Sequence, residues 1–115
     1  MEYDPAALFA ALADTTRLRC LMLLTQAPSL CVCELMDALE EPQPKLSKHL
    51  GVLREMGLVA DERRAQWVHY SLKSDLPDWV QDIVQASLRA VQKRKPYAND
   101  AKRLKARLSG CDKAA

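Results

Sequence analysis

The sequence predicts a mainly α-helical domain that carries one two-stranded β-hairpin and pairs into a homodimer. Three observations predict it. Apolar residues recur at helical spacing over most of the chain, the period changes to about two after Gly57, and a last long helix bears a wide apolar stripe. One small domain cannot easily cover such a stripe by itself, which is why a second copy is expected.

Asp4-Pro5 opens the first helix, with Asp as N-cap and Pro at the first helical position, and Leu8, Ala11 and Leu12 share its inner face. It should end near Ala13. Asp14-Thr15 begins a second helix in which Leu18, Leu21, Met22, Leu23 and Leu24 leave almost no polar face except near Arg17 and Arg19. This is the expected central buried helix, and Cys20 within it reads as a small buried hydrophobe. Pro28-Ser29 breaks it. A third helix starts around Cys31, where Cys31 and Glu34 have capping-box spacing, and Leu35 and Leu39 mark its inner face. Glu41-Pro42 is the next turn. Pro44 is expected at the first position of a fourth helix that runs to Met56 and stops at Gly57. Leu46, Leu50 and Leu53 form its buried stripe, Lys45, Lys48 and Val52 point away, and Ser47 and His49 lie on the flanks.

Leu58 to Arg63 and Trp67 to Leu72 alternate with period two and read as the strands of a hairpin. Its tip, Arg64-Ala65-Gln66, lacks the Gly or Asn that would fix a turn type. Ser74-Asp75 is expected to open the long helix, with Leu76, Trp79, Val80, Ile83, Val84, Ser87, Leu88 and Val91 on one side, ending at Lys93-Arg94-Lys95 and Pro96. Residues 1–95 are thus read as the folded domain. Residues 96–115 are read as a basic C-terminal tail in which Asn99 can cap a short helix containing Leu104 and Leu108.

A length of 115 residues allows one core and not two. The net charge of +2 is unevenly placed: the segment sums are −4 over residues 1–40, +2 over 41–73 and +4 over 74–115. A polyanion would therefore meet the later two-thirds. The longest wholly apolar run, Cys20 to Leu24, is far short of the roughly 18 residues that span a bilayer, so no membrane partner is expected. No basic leader with an apolar stretch opens the chain, and a cytoplasmic location is expected. In that compartment the four cysteines favour metal binding, redox chemistry or burial over structural disulfides.

Two short helices joined by a tight turn, the second basic on its outer face and followed by a hairpin, make a winged helix-turn-helix that can place its second helix in the major groove of double-stranded DNA. Gln43 and the start of the fourth helix would lie nearest base edges. Lys45, Ser47, Lys48 and His49 reach bases or phosphates, and Arg63 and Arg64 at the hairpin tip reach the minor groove or phosphates. A merely solvated basic face is the alternative, and the basic hairpin weighs against it. His69 reads as a strand residue beside Tyr70 rather than a ligand.

Across nearly its whole length the chain resembles the ArsR family of metal- and metalloid-responsive winged-helix repressors. The resemblance rests on Leu12-Ala13-Asp14-Thr15-Thr16-Arg17-Leu18-Arg19, on Leu30-Cys31-Val32-Cys33-Glu34-Leu35, on Gln43-Pro44-Lys45-Leu46-Ser47-Lys48-His49-Leu50 with Leu53-Arg54-Glu55-Met56-Gly57-Leu58-Val59, and on Trp67-Val68-His69-Tyr70-Ser71-Leu72. It implies a non-enzymatic dimer that sits on a pseudo-palindromic operator, blocks transcription and leaves when an inducer binds. In this family the Cys-Val-Cys form is typical of arsenical-resistance regulators induced by trivalent arsenic and antimony, As(III) and Sb(III), with no catalytic cofactor.

On a regular helix positions i and i+2 lie roughly 200° apart, so Cys31 and Cys33 are expected to chelate only through an unwound or frayed turn, a freedom that Cys31 has at the very start of the third helix. The helix dipole at Cys31 is expected to favour thiolate. Where the best-known arsenic site of the family has a third Cys, this chain has Met36, which is not carried over as a ligand. Cys111 is the favoured third sulfur, no third protein ligand is the next reading, and Cys20 the last. Relatives that sense zinc use histidines and carboxylates on the dimer helix, and those that sense cadmium or lead use extra N-terminal cysteines; neither set is present. The rival functions are a redox-sensing repressor of the same fold and a thiol oxidoreductase, the latter lacking a thioredoxin-like βαβ pattern around the pair.

Overall fold

The computed structural model describes the backbone of residues 2–114 and the side chains of residues 2–109. Among them the elements run α1 (Pro5–Leu12), α2 (Thr15–Leu24), β1 (Leu30–Cys31), α3 (Val32–Leu39), α4 (Gln43–Glu55), β2 (Val59–Arg64), β3 (Trp67–Leu72), α5 (Asp78–Val91) and α6 (Tyr97–Ala114). No helix among the described residues is long and apolar enough to cross a membrane.

The first two helix starts are held by the expected carboxylates: Asp4 accepts from the Ala7 N–H at 3.2 Å and Asp14 from the Arg17 N–H at 3.0 Å. α2 is the central helix, with Cys20, Leu21, Leu23 and Leu24 at most 1% exposed. Leu35 and Leu39 of α3 and Leu46, Leu50 and Leu53 of α4 close on it, all equally buried. Truncating any one of these leucines to Ala would cost about 3 kcal/mol, because the rest of so dense a cluster cannot collapse into the hole.

α4 ends in a Schellman motif. Gly57 has φ 82°, its N–H donates to the Arg54 carbonyl at 2.9 Å, and the Leu58 N–H donates to the Leu53 carbonyl at 3.0 Å. Only a residue tolerant of a left-handed backbone fits there, which is why the sequence signal at Gly57 was reliable. The Tyr3 hydroxyl donates to the Gly57 carbonyl at 2.8 Å and ties the N-terminus to this junction.

Several boundaries differ from expectation. The sheet has three strands, in the order β1-β3-β2, because Leu30 pairs with Tyr70 and Cys31 with His69. A strand of two residues is too short to show alternation. Pro42 is the N-cap of α4, so Pro44 falls at its second position rather than its first. α5 begins at Asp78 with Pro77 as cap, not at Ser74-Asp75, since a residue before proline is pushed out of the helical region. Of its apolar stripe Val80 and Val84 are buried, Ile83, Leu88 and Val91 are half-buried, and Trp79 is 39% exposed.

The largest difference concerns residues 96–115. Instead of a short helix capped at Asn99, α6 spans 18 residues with Asn99 inside it, and it lies against α3. Leu104 joins the core at 2% exposure, and Asp100 is buried at 1%. Leu104, with Tyr97 and Leu108 packed against the core, and the polar anchoring described below together hold this helix in place.

Candidate functional site

Two features stand close together: a pair of thiols at the start of α3 and an exposed basic helix, α4, that follows it after one turn.

Cys31 is at once the last residue of β1 and the N-cap of α3, with φ −68° and ψ 149°. Its N–H donates to Glu34 Oε1 at 2.8 Å, and its sulfur accepts from the Cys33 N–H at 3.4 Å, completing the capping box the spacing suggests. These extended dihedrals are the freedom expected of Cys31 at the very start of the helix. The 200° separation applies to two helical residues, and Cys31 is not one. The Cys33 thiol meets the Cys31 sulfur at 2.6 Å with the helix intact.

Burial, then the hydrogen bond to and proximity of Cys31, push the Cys33 thiol up to about 11, against the pull of the Arg107 guanidinium. Arg107 comes from α6, where its Nε donates to Asp37 at 2.6 Å and its Nη2 lies 4.0 Å from the Cys33 sulfur. Cys20 is remote in character. It is wholly buried in the core, and burial pushes it up to about 12, so it is an inert thiol. Met36 is half-buried against the core. The side chain of Cys111 lies outside the described residues; its position is four residues beyond Arg107 on α6. Among the described residues no group of three or more His, Cys, Asp or Glu is arranged to hold a metal ion. The site visible there is a two-thiol site.

On α4, Gln43, Lys45, Ser47 and Lys48 are exposed. Lys45 pairs with Glu41 at 2.9 Å, a link between the turn and the first turn of the helix. The His49 side chain is 15% exposed and faces back toward α2: Arg17 Nη1 lies 3.3 Å from Nδ1, and Asp14 is 3.8 Å away. The Asp14 carboxyl is held below its ordinary value by the Arg17 N–H it accepts, with His49 and Arg17 charges adding. Arg63 and Arg64 are exposed at the end of β2, and Arg64 meets Glu62 at 3.2 Å. Arg64 pairs with Trp67 across the hairpin, leaving Ala65 and Gln66 as the loop; Ala65 takes φ 55° where turn chemistry prefers Gly.

Sequence reasoning missed the residues that join these parts. Arg19, Asp37, Asp100, Arg103 and Arg107 form an ionic cluster between α2, α3 and α6. The available signals were Arg19 interrupting an otherwise apolar helix and Asp100 standing as a lone acid in a basic stretch.

Comparison with known proteins agrees with this architecture. Residues 14–61 match the family described as bacterial regulatory protein, arsR family. The chain is 46% identical over 86 residues to the arsenic resistance transcriptional regulator ArsR2 of Pseudomonas putida, covering 75% of each chain. It is 44% identical over 90 residues to the arsenical resistance operon repressor of Escherichia coli, covering 78% of this chain and 77% of the relative. Among solved structures, HlyU from Vibrio cholerae superposes with a TM-score of 0.67 at 35% identity, over 76% of this chain and 91% of that one. The AntR antimony-specific transcriptional repressor superposes with 0.64 at 26% identity, over 76% and 77%. The winged helix, the basic reading helix and these matches together place the chain in the arsR family of bacterial regulatory proteins, as a transcriptional regulator and not an enzyme.

Proposed function

We propose that the protein is a homodimeric repressor that occupies operator DNA through α4 and the β2–β3 wing and releases it when trivalent arsenic or antimony binds Cys31 and Cys33. The observation that carries this reading is the thiol pair itself, two sulfurs 2.6 Å apart at the N-cap of the helix that precedes the reading helix. Two adjacent thiols are a soft donor set suited to thiophilic ions and unsuited to magnesium or calcium. Each thiol gives its proton to a hydroxyl leaving arsenous acid as water and takes a bond to arsenic in its place, with no change of oxidation state. Ion–sulfur bonds of about 2.3 Å hold two sulfurs roughly 3.5 Å apart, a spacing that two neighbouring thiols reach with little movement. Bonding to the ion draws on the Cys31 sulfur that accepts the Cys33 N–H, so capture weakens the cap of α3.

Cys111 is the proposed third sulfur, because the stretch of α6 one turn before it already runs beside Cys33 through Arg107. Gln43, Lys45, Ser47, Lys48, Arg63 and Arg64 are the proposed DNA contacts; His49 is the proposed brace of the reading helix against α2 and only secondarily a contact. The proposed dimer interface joins α1 to α5, where Phe9 at 54% and Trp79 at 39% exposure are left uncovered. Such a regulator works in the cytoplasm, where the operator is.

The test is a titration of the operator complex with arsenite and with antimonite, followed by fluorescence anisotropy. Cys33→Ser is expected to bind operator normally and to ignore both. Normal release in that variant overturns the ligand assignment, and release by peroxide without any arsenite response marks a redox-sensing repressor instead.

A further inference from the structure

The ionic cluster that docks α6 touches α3 at both of its ends. At the far end, Asp100 receives Arg19 through Nε at 2.8 Å and Nη2 at 2.7 Å, and Arg103 through Nη2 at 2.9 Å. The same two arginines donate to the closing carbonyls of α3, Arg103 to Ala38 at 2.7 Å and Arg19 to Leu39 at 2.9 Å. These are groups a helix end leaves without partners of its own. Arg19 also faces Glu41 at 3.9 Å, and Glu41 in turn holds Lys45 of the reading helix. At the near end Arg107 bonds Asp37 and reaches to 4.0 Å from the Cys33 sulfur.

We infer that Arg107 is a positioning residue of the induction step and that α6 is the strut that carries displacement of the thiol pair to the turn between α3 and α4. This rests on the reading that the inducer binds Cys33. The two ends of the strut differ in strength. The Asp100 end is buried, whereas Asp37 is 59% and Arg107 30% exposed, so the near end is the more weakly held. When an ion joins the two sulfurs and the Cys31 cap weakens, the Cys33 sulfur moves relative to the guanidinium beside it. Arg107, held to Asp37 and close to that sulfur, draws α6 with it. The grip of Arg103 and Arg19 on the last carbonyls of α3 then changes, and with it the Glu41 contact to Lys45. Without the Arg107 side chain the thiols still capture the inducer, but the turn is no longer informed.

The test separates capture from release. For wild type, Arg107→Gln, Arg107→Lys and Asp37→Asn, arsenite binding is followed by the ultraviolet absorbance of the arsenic–thiolate bonds. Operator affinity is measured with and without saturating arsenite. Arg107→Gln is expected to keep arsenite affinity and arsenite-free operator affinity within about twofold. The weakening of operator binding by arsenite is expected to fall from about tenfold or more to about twofold. Asp37→Asn shifts the same way by less, and Arg107→Lys restores part of the response. Wild-type release in both Arg107→Gln and Asp37→Asn overturns the inference, and so does loss of arsenite binding in Arg107→Gln, which would put Arg107 at the ligand itself. Failure of the underlying reading is seen separately, as normal arsenite release in Cys33→Ser.

Discussion

Arg19 of α2 grips Asp100 of α6 across 81 positions of sequence, by a two-pronged ion pair in which the carboxylate is only 1% exposed. The pair makes the C-terminal helix part of the folded unit. Asp100→Asn leaves two guanidinium groups facing a neutral amide, and the expected loss is about 3 kcal/mol of unfolding free energy. Chemical denaturation of the variant checks it; a midpoint equal to wild type would mean that α6 docks without this pair.

Asp14 provides a pH-dependent contribution. Its carboxyl titrates below its ordinary 3.8 because it accepts the Arg17 N–H at the start of α2. A depressed folded value means that its stabilisation is fully present above 3.8 and is lost as pH falls through the folded value. Asp14→Ala is expected to cost about 1 kcal/mol at neutral pH and to flatten the acid limb of the stability curve, measured by thermal melts between pH 2 and 6. An acid limb unchanged from wild type would exclude the cap as its source.

On the proposed reading, capping and sensing share one atom, the Cys31 sulfur, and substitution separates them. Serine is among the best N-cap residues, so Cys31→Ser should match wild-type stability within about 0.5 kcal/mol while losing the response to arsenite. A folded variant that still releases operator with arsenite would leave Cys31 as a cap only.

Lys48 is exposed on α4 and, among the described residues, has no ion-pair partner, unlike Lys45. Lys48→Ala should weaken operator binding about equally across sequences and lower the salt dependence by about one phosphate contact. Affinity measured from low to moderate salt decides it, and an unchanged slope argues against this docking.

Deleting residues 109–115 removes Cys111. Arsenite affinity should fall by about 10-fold or more if a third sulfur is lost, whereas a monosubstituted organic arsenical, satisfied by two sulfurs, should bind as before. Undiminished arsenite affinity in the shortened chain would rule Cys111 out.

The parts of the fold legible in the sequence are those written in local chemistry. Asp4-Pro5 and Asp14 announce helix starts, Gly57 announces a stop, Leu46, Leu50 and Leu53 announce a buried face, and alternation from Trp67 to Leu72 announces a strand. What was not legible depends on distant partners. β1 exists only because β3 lies beside it, and α6 docks through charged residues that read as solvent-facing until Arg19 and the α3 carbonyls are placed near them. The thiol pair fell between the two. Its capping-box spacing and the freedom of Cys31 at the helix start were readable, but the approach of Arg107 of α6 to the Cys33 sulfur was not.

The Schellman closure at Gly57 has a mechanical consequence. Leu58 donates back into α4, its own carbonyl accepts the Lys73 N–H at 3.0 Å where β3 ends, and Arg54 of α4 holds Asp61 of β2 at 2.9 Å. α4 and the wing beside it are thereby joined into one plate. On the proposed reading, an inducer that acts on the turn before α4 would shift the plate as a whole, so that the contacts of helix and wing with DNA would be lost together.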